Sequence, residues 1–229
     1  MTRSDDQVNY HFDFAAILGY LPLIGRGILF TLALTALGAS FGIGIGIVGS
    51  VCRAWKIKPF NYFFAIYVET IRNTPFLVQL FFIFFGLPAL GIKLDDWQAA
   101  SLTMVINLGA YCTEIIRSGV QATPRGQIEA AQALAMTRAQ IFRHVVLRPA
   151  LQKVWPSIAS QVVIVMLGSS VCSQIGAEEL TFAAGFISSR NFRSLETYFT
   201  VALIYLLLAI ALRQLLTRYG QRFIVGRPR

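Results

Sequence analysis

The chain is 229 residues long, 55% hydrophobic and only 14% charged, with a formal net charge of +9. A soluble domain carries roughly 25% charged residues, so this chain cannot cover a soluble surface, and it is too apolar to be disordered. The basic excess leaves nucleic acid, an acidic partner or one side of a membrane as its reason, and the placement of the charges separates them.

Residues 1–14 are polar and mildly acidic. A signal peptide needs a basic start leading into an apolar core and a small-residue cleavage site, so an uncleaved N-terminus is expected. A membrane-crossing helix needs about 20 mostly apolar residues. Charge-free runs of that order cover residues 27–52, 73–92 (preceded by apolar 59–68), 97–113, 154–177 and 197–212. Five spans follow.

The first span carries Gly38, Gly42 and Gly46 at a spacing of four. Small residues at that spacing let membrane helices approach closely, either within the chain, the favoured reading, or between copies. The second span is different. Residues 59–90 are too many for one straight crossing and include Glu69, Arg72, Asn73 and Pro75. Proline removes a backbone donor, so a break is expected at Asn73-Thr74-Pro75. Broken helices persist at membrane depth only where protein or a water-filled cavity satisfies the freed groups, which points to a pathway.

With the N-terminus outside, the inner segments hold 14 of the 20 Lys/Arg residues and the outer ones five. Eight of the eleven acids lie outside, and Glu129 is the one inner acid. Positive residues collect on the cytoplasmic side, so this orientation is expected and nucleic-acid binding is not.

Between the third and fourth spans, Thr123-Pro124-Arg125-Gly126 reads as a turn, and residues 127–146 read as a helix. Ile128, Ala131, Leu134 and Ala135 give it an apolar face, Ile141, Val145 and Val146 a second, and Pro149 closes it and opens the fourth span. Such a helix either docks on a partner or lies on lipid. Glu69 and Arg72, and again Glu114 and Arg117, stand at i, i+3, where each acid can neutralise its own base. These pairs read as structural clamps, an inner gate or substrate contacts. The fourth span contains Gly168-Ser169-Ser170 followed by Cys172-Ser173-Gln174. Hydroxyls can bond their own helix, but so many polar groups favour a cavity lining. Cys52, Cys112 and Cys172 are isolated and read as buried small residues, and His11 and His144 form no metal-ligand cluster. No phosphate-cradling loop or nucleophile constellation is present, so no enzyme activity is expected of the chain itself.

Glu129-Ala130-Ala131, then a small residue at Ala135 and Val145-Val146-Leu147 before Pro149, resembles the EAA loop of ABC importer membrane subunits. Residues 67–82, the Phe85-Gly86-Leu87-Pro88 ending, residues 109–119 and residues 120–127 are similar to signatures of the polar amino-acid uptake permeases. The resemblance covers about residues 24–222. It implies an all-α integral membrane protein with five transmembrane helices of the ABC type I importer permease fold, N-terminus outside and C-terminus cytoplasmic. It divides the chain into an N-terminal periplasmic or interfacial segment (1–25), a transmembrane permease domain (26–222) with its coupling loop at about 123–149, and a basic cytoplasmic tail (223–229). It further implies a second permease subunit, identical or homologous, two ATPase subunits docked on the loops, and a periplasmic binding protein that delivers an amino acid. The location is the bacterial inner membrane. No cofactor is expected in this chain; ATP and Mg are used by the ATPase. Glu129, Ala130, Ala131 and Ala135 take the coupling role. Glu69, Arg72, Asn73, Thr74, Gln79, Glu114, Gly168, Ser169 and Ser170 are the candidate substrate pathway.

The chain departs from the pattern at Ala135, where a glycine is usual, at Val145 for isoleucine, at Leu147-Arg148-Pro149 for Leu-Pro, and at residues 167–170, where many relatives carry Lys-Asp-Thr-Ser. Alanine disfavours a positive φ, so no sharp turn is expected at Ala135. The competing readings are a stand-alone channel, an ion-driven carrier and a non-transporting scaffold.

Overall fold

The structure is a computed structural model that describes residues 11–225, all in helices and their connections. A 3-10 turn, Phe14–Tyr20, runs into α1 (Leu21–Ala54). The 25/26 boundary therefore falls inside a helix. Residues 1–10 of the N-terminal segment and 226–229 of the basic tail lie outside the described residues. After a short turn come α2 (Phe60–Arg72) and α3 (Phe76–Ala89), bent 113° to each other. Next are α4 (Asp96–Gln121), α5 (Arg125–Ala133), α6 (Arg138–Ile175), α7 (Leu180–Asn191) and α8 (Ser194–Arg222).

The glycine stripe of α1 is used within the chain. Gly38 faces Met104, Gly42 faces Leu108, Gly46 faces Cys112 and Gly49 faces Thr113. A Cβ on Gly42 would lie 2.9 Å from the Leu108 Cβ, and one on Gly46 would overlap Cys112. The numbers rise together along both helices, so α1 and α4 run parallel. Two parallel spans require a crossing in the opposite sense between them, and only α2 with α3 lies there. The sharply bent pair is therefore one broken span, not a hairpin returning to its own side.

The break stands where proline was expected to put it. Pro75 is extended (φ −63°, ψ 142°), and Gln79 repairs the ladder. Its Nε2 donates to Ile71 O at 2.7 Å and Thr74 O at 3.0 Å, and its Oε1 accepts from Asn107 Nδ2 at 3.0 Å. The freed carbonyls are thus satisfied by protein, as the membrane interior demands.

Helix α4 is the buried axis and α8 the outer one: 61% of the most apolar stretch of α4 is buried, against 6% for α8. Leu203, Leu206, Leu207 and Ile210 of α8 are exposed, the surface a lipid-facing helix presents. Helix α6 runs antiparallel to α4, with Gly119 against Val154 and Gly176 near Asp96. Trp155 Nε1 donates to Leu216 O at 2.8 Å and holds α8 to α6.

Two expectations are corrected, and one helix is new. Residues 127–146 are not one helix: α5 ends at Ala133 and α6 begins at Arg138. Pro149 opens the α-helical stretch of the fourth span as expected, but it does not close the preceding segment, because α6 passes through it. A π stretch, Ile141–Leu147, precedes it, and Pro149 sits in the first turn of the following α-helical stretch, where a missing donor is tolerated. The segment before the last span holds an additional helix, α7, capped by Glu179, whose carboxylate accepts from Phe182 N at 2.9 Å.

Candidate functional site

The α5–α6 corner is built from the chain upward. Pro124 starts α5, where its lack of a donor is harmless. Ala131 is buried with Ile141, Phe142 and Val146, and Ile128 packs beside it. That pins one side of α5 and leaves Glu129 and Ala130 exposed. Leu134 is 77% exposed, so it does not belong to the buried face the periodicity assigned it. The helix ends one residue before it, and the turn swings it outward.

That turn corrects the reading of Ala135. Its φ is +54°, the left-handed region, despite the Cβ. Ala135 N donates to Gln132 O at 2.9 Å and Met136 N to Ala131 O at 3.2 Å, the two bonds of a Schellman cap. The helix end imposes the conformation, and alanine bears about 1–2 kcal/mol for it. Thr137 and Gln140 then form a reciprocal capping box that starts α6. A cleft of about 650 Å³ lies behind the corner, lined by Trp55, Ile57, Val120, Ile128, Arg138 and Phe142 among others. Trp55 closes on Phe142 edge to face, with ring centroids 4.6 Å apart.

Of the two expected Glu/Arg pairs, one forms. Glu114 binds Arg117 and also Arg53 of α1, whose Nη1 is 2.8 Å from Oε2. Glu69 and Arg72 do not pair. Glu69 accepts from Asn73 Nδ2 at 3.1 Å, and Arg72 lies 5.4 Å over the Tyr111 ring. The helix break explains this, because Asn73 folds back to cap the end of α2 on Glu69 O at 2.8 Å.

The candidate pathway residues fall into two groups. Glu69, Arg72, Asn73 and Thr74 are exposed together at the break, and Gln79 beneath them is buried with both ends of its amide bonded. Gly168, Ser169 and Ser170 lie where α6 tightens into a 3-10 stretch, Ser169–Ile175, which α3 touches. Ser169 is fully buried and donates to Met166 O at 2.6 Å; Ser170 donates to Leu167 O at 2.7 Å. These hydroxyls bond their own helix, and Gly168 faces open space.

Sequence reasoning missed a buried polar knot at the opposite end. Glu179 is fully buried, Tyr205 donates to its Oε2, Thr181 lies 3.1 Å from the Tyr205 hydroxyl, and Thr31 Oγ1 accepts from Leu180 N at 3.2 Å. Burial pushes the Glu179 carboxyl above the ordinary carboxylate range, against hydrogen bonds that pull it back. Asn107 and Glu196 were missed as well; Glu196 is fully buried and accepts from Asp13 N at 3.1 Å. Tyr205, in the middle of an apolar span, was the available signal, since its hydroxyl needs a partner.

Five spans, a break lined by polar groups and an exposed corner at the basic end define a membrane permease rather than an anchor. The chain belongs to the family of binding-protein-dependent transport system inner membrane components, whose family model matches residues 42–225. It is 35% identical over 213 residues to the glutamine transport system permease protein GlnP of Escherichia coli (strain K12), covering 92% of this chain and 97% of that one. It is 34% identical over 194 residues to the L-cystine transport system permease protein TcyB of Bacillus subtilis (strain 168), covering 84% and 83%. Among solved structures, an amino acid ABC transporter crystallised with histidines matches with a TM-score of 0.85 and 34% identity, over 93% of this chain and all of that one. An inward-facing methionine ABC transporter shares the fold, with a TM-score of 0.69 at 23% identity. The chain is thus an ABC importer permease subunit.

Proposed function

We propose that this permease takes up amino acids handed over by a periplasmic binding protein. It pairs with a second permease subunit, identical or homologous, and is driven by two ATPase subunits that use ATP and Mg. The basic end of the bundle faces the cytoplasm of a bacterial cell, and the N-terminus faces outward. The relatives named for glutamine and cystine support an amino acid as cargo.

One observation carries the mechanism: α5 is anchored through Ala131 while Glu129, Ala130 and Leu134 stand exposed at the basic end. Glu129 makes a charged contact with an ATPase, Ala130 allows close approach, Leu134 supplies apolar area, and Ala131 and Ala135 set the shape. Closure of the ATPases on ATP draws two such corners together and opens the bundle outward; hydrolysis returns it. The driving difference in binding energy lies in the ATPase pair, and this chain transmits it. Glu69, Arg72, Asn73 and Thr74 line the pathway at the break, and Gly168 and Ser170 line it on α6. Gln79, Glu114 and Ser169 shape it from behind.

The test is uptake into proteoliposomes that hold the permease, its ATPase and its binding protein, screened over the amino acids. Uptake that needs ATP and the binding protein supports the reading. Uptake by the permease alone, driven by an ion gradient, refutes it in favour of a secondary carrier.

A further inference from the structure

The first turns of α6 carry a feature that transport does not use. Arg143, His144 and Arg148 are all exposed and border a cleft of about 350 Å³ whose other walls are Leu147, Leu151 and Ile224. No side chain among the described residues forms an ion pair with any of the three. Glu114 is already held by Arg53 and Arg117. Glu129 is on α5, which packs on the other face of α6 through Ile141, Phe142 and Val146. The basic face therefore points away from the corner that meets an ATPase. Basic groups on adjacent turns with no acid among them repel, which an anion between them relieves.

The depth of the cleft is equally specific. Val154 opens the charge-free run of α6. At 1.5 Å per residue, Leu151 lies about 5 Å before it, Arg148 about 9 Å and Arg143 about 16 Å. The headgroup layer flanks the hydrocarbon by roughly 5–8 Å, and arginine stems extend several ångströms further. Leu151 thus sits at the edge of the hydrocarbon, Arg148 and Leu147 among the headgroups, and Arg143 on their water side. A soluble anion would use the basic rim and leave the apolar wall.

We propose that this cleft binds an anionic phospholipid, its phosphate at Arg148 with Arg143 and His144 on its water side, its glycerol beside Leu147, and the first part of an acyl chain along Leu151 and Ile224. The lipid bridges the start of α6 and the end of the chain, which already meet where Gln152 Nε2 donates to Ile224 O at 2.7 Å.

Native mass spectrometry of the purified full chain, titrated with phosphatidylglycerol or phosphatidylcholine, tests this. The unaltered chain retains phosphatidylglycerol with a preference of about tenfold or more. R143Q/R148Q loses most of that preference, R143K/R148K keeps it, and R213Q, a basic site at the same end outside the cleft, keeps it too. Undiminished phosphatidylglycerol binding by R143Q/R148Q overturns the proposal. So does displacement of the lipid by inorganic phosphate, which marks a soluble-anion site. Loss of the lipid once ATPase subunits are bound also overturns it, because the face is then a protein contact.

Discussion

Glu114 on α4 accepts from Arg53 on α1 at 2.8 Å, joining residues 61 positions apart, while holding Arg117 on its own helix. One carboxylate thus ties the ends of two parallel spans just before the chain enters the α5–α6 corner. Its side chain is 23% exposed, so solvent screens it only in part. Glu114→Gln leaves two guanidinium groups without their acid and lowers stability by about 1–2 kcal/mol. Thermal unfolding of the detergent-solubilised chain, run as a cycle with Arg53→Gln, measures the coupling; additive losses in the cycle refute the tie.

Glu129→Lys reverses the exposed charge on α5 without touching buried contacts. Transport and ATPase stimulation fall, and membrane insertion does not. Normal uptake by this variant removes Glu129 from the docking surface.

Ala135→Gly relieves the left-handed strain at the corner. The gain of about 1–2 kcal/mol is offset in part by the greater freedom of glycine in the unfolded chain. A net gain of about 0.5–1 kcal/mol slows hydrogen exchange of Met136 N–H roughly two- to fivefold. Faster exchange contradicts the assignment, and Ala135→Val accelerates it.

The glycine stripe separates two neighbouring positions. Gly46→Val disrupts the α1–α4 contact and abolishes accumulation of folded protein, whereas Gly44→Val, facing open space, is tolerated. Gly46→Ala lowers accumulation, and Cys112→Gly restores part of it, because it removes the opposing Cβ and leaves backbone atoms at 3.0 and 3.1 Å. Equal effects at positions 44 and 46 sink the packing account.

Glu179 gives a pH signature. Its folded-state carboxyl titrates above the ordinary range because it is buried, so the folded chain binds the proton more tightly than the unfolded one. Stability is then greatest below the ordinary carboxylate range and declines as pH rises from there through the raised value. Unfolding followed over pH in detergent shows this slope, and Glu179→Gln flattens it. An unchanged slope in the variant assigns it elsewhere.

The spans, their number and the break were legible because hydropathy and proline act locally. Residues 73–75 gave up the helix for a reason visible in the sequence. The pairing of Glu114 with Arg53 was not legible, since it depends on the parallel register that the glycines set. Arg72 looked like the partner of Glu69 from spacing alone, but the break gave Asn73 to Glu69 and Tyr111 to Arg72. Ala135 misled for a related reason: a Schellman cap fixes its residue through two backbone bonds, and those outweigh the propensity of one alanine. The Glu179 knot needed α1, α7 and α8 in place before its members met.

The π stretch before Pro149 has a mechanical consequence. Because α6 continues unbroken through it, 38 residues run from the capping box to the far end of the bundle as one lever, about 57 Å long. Its fulcrum is the tight crossing at Gly119, which touches Val154. The arms on either side measure about 24 Å and about 32 Å. A sideways push of about 2 Å at Arg138 therefore swings Ile175 by roughly 2.7 Å the other way, so pulling inward at one end is spreading at the other.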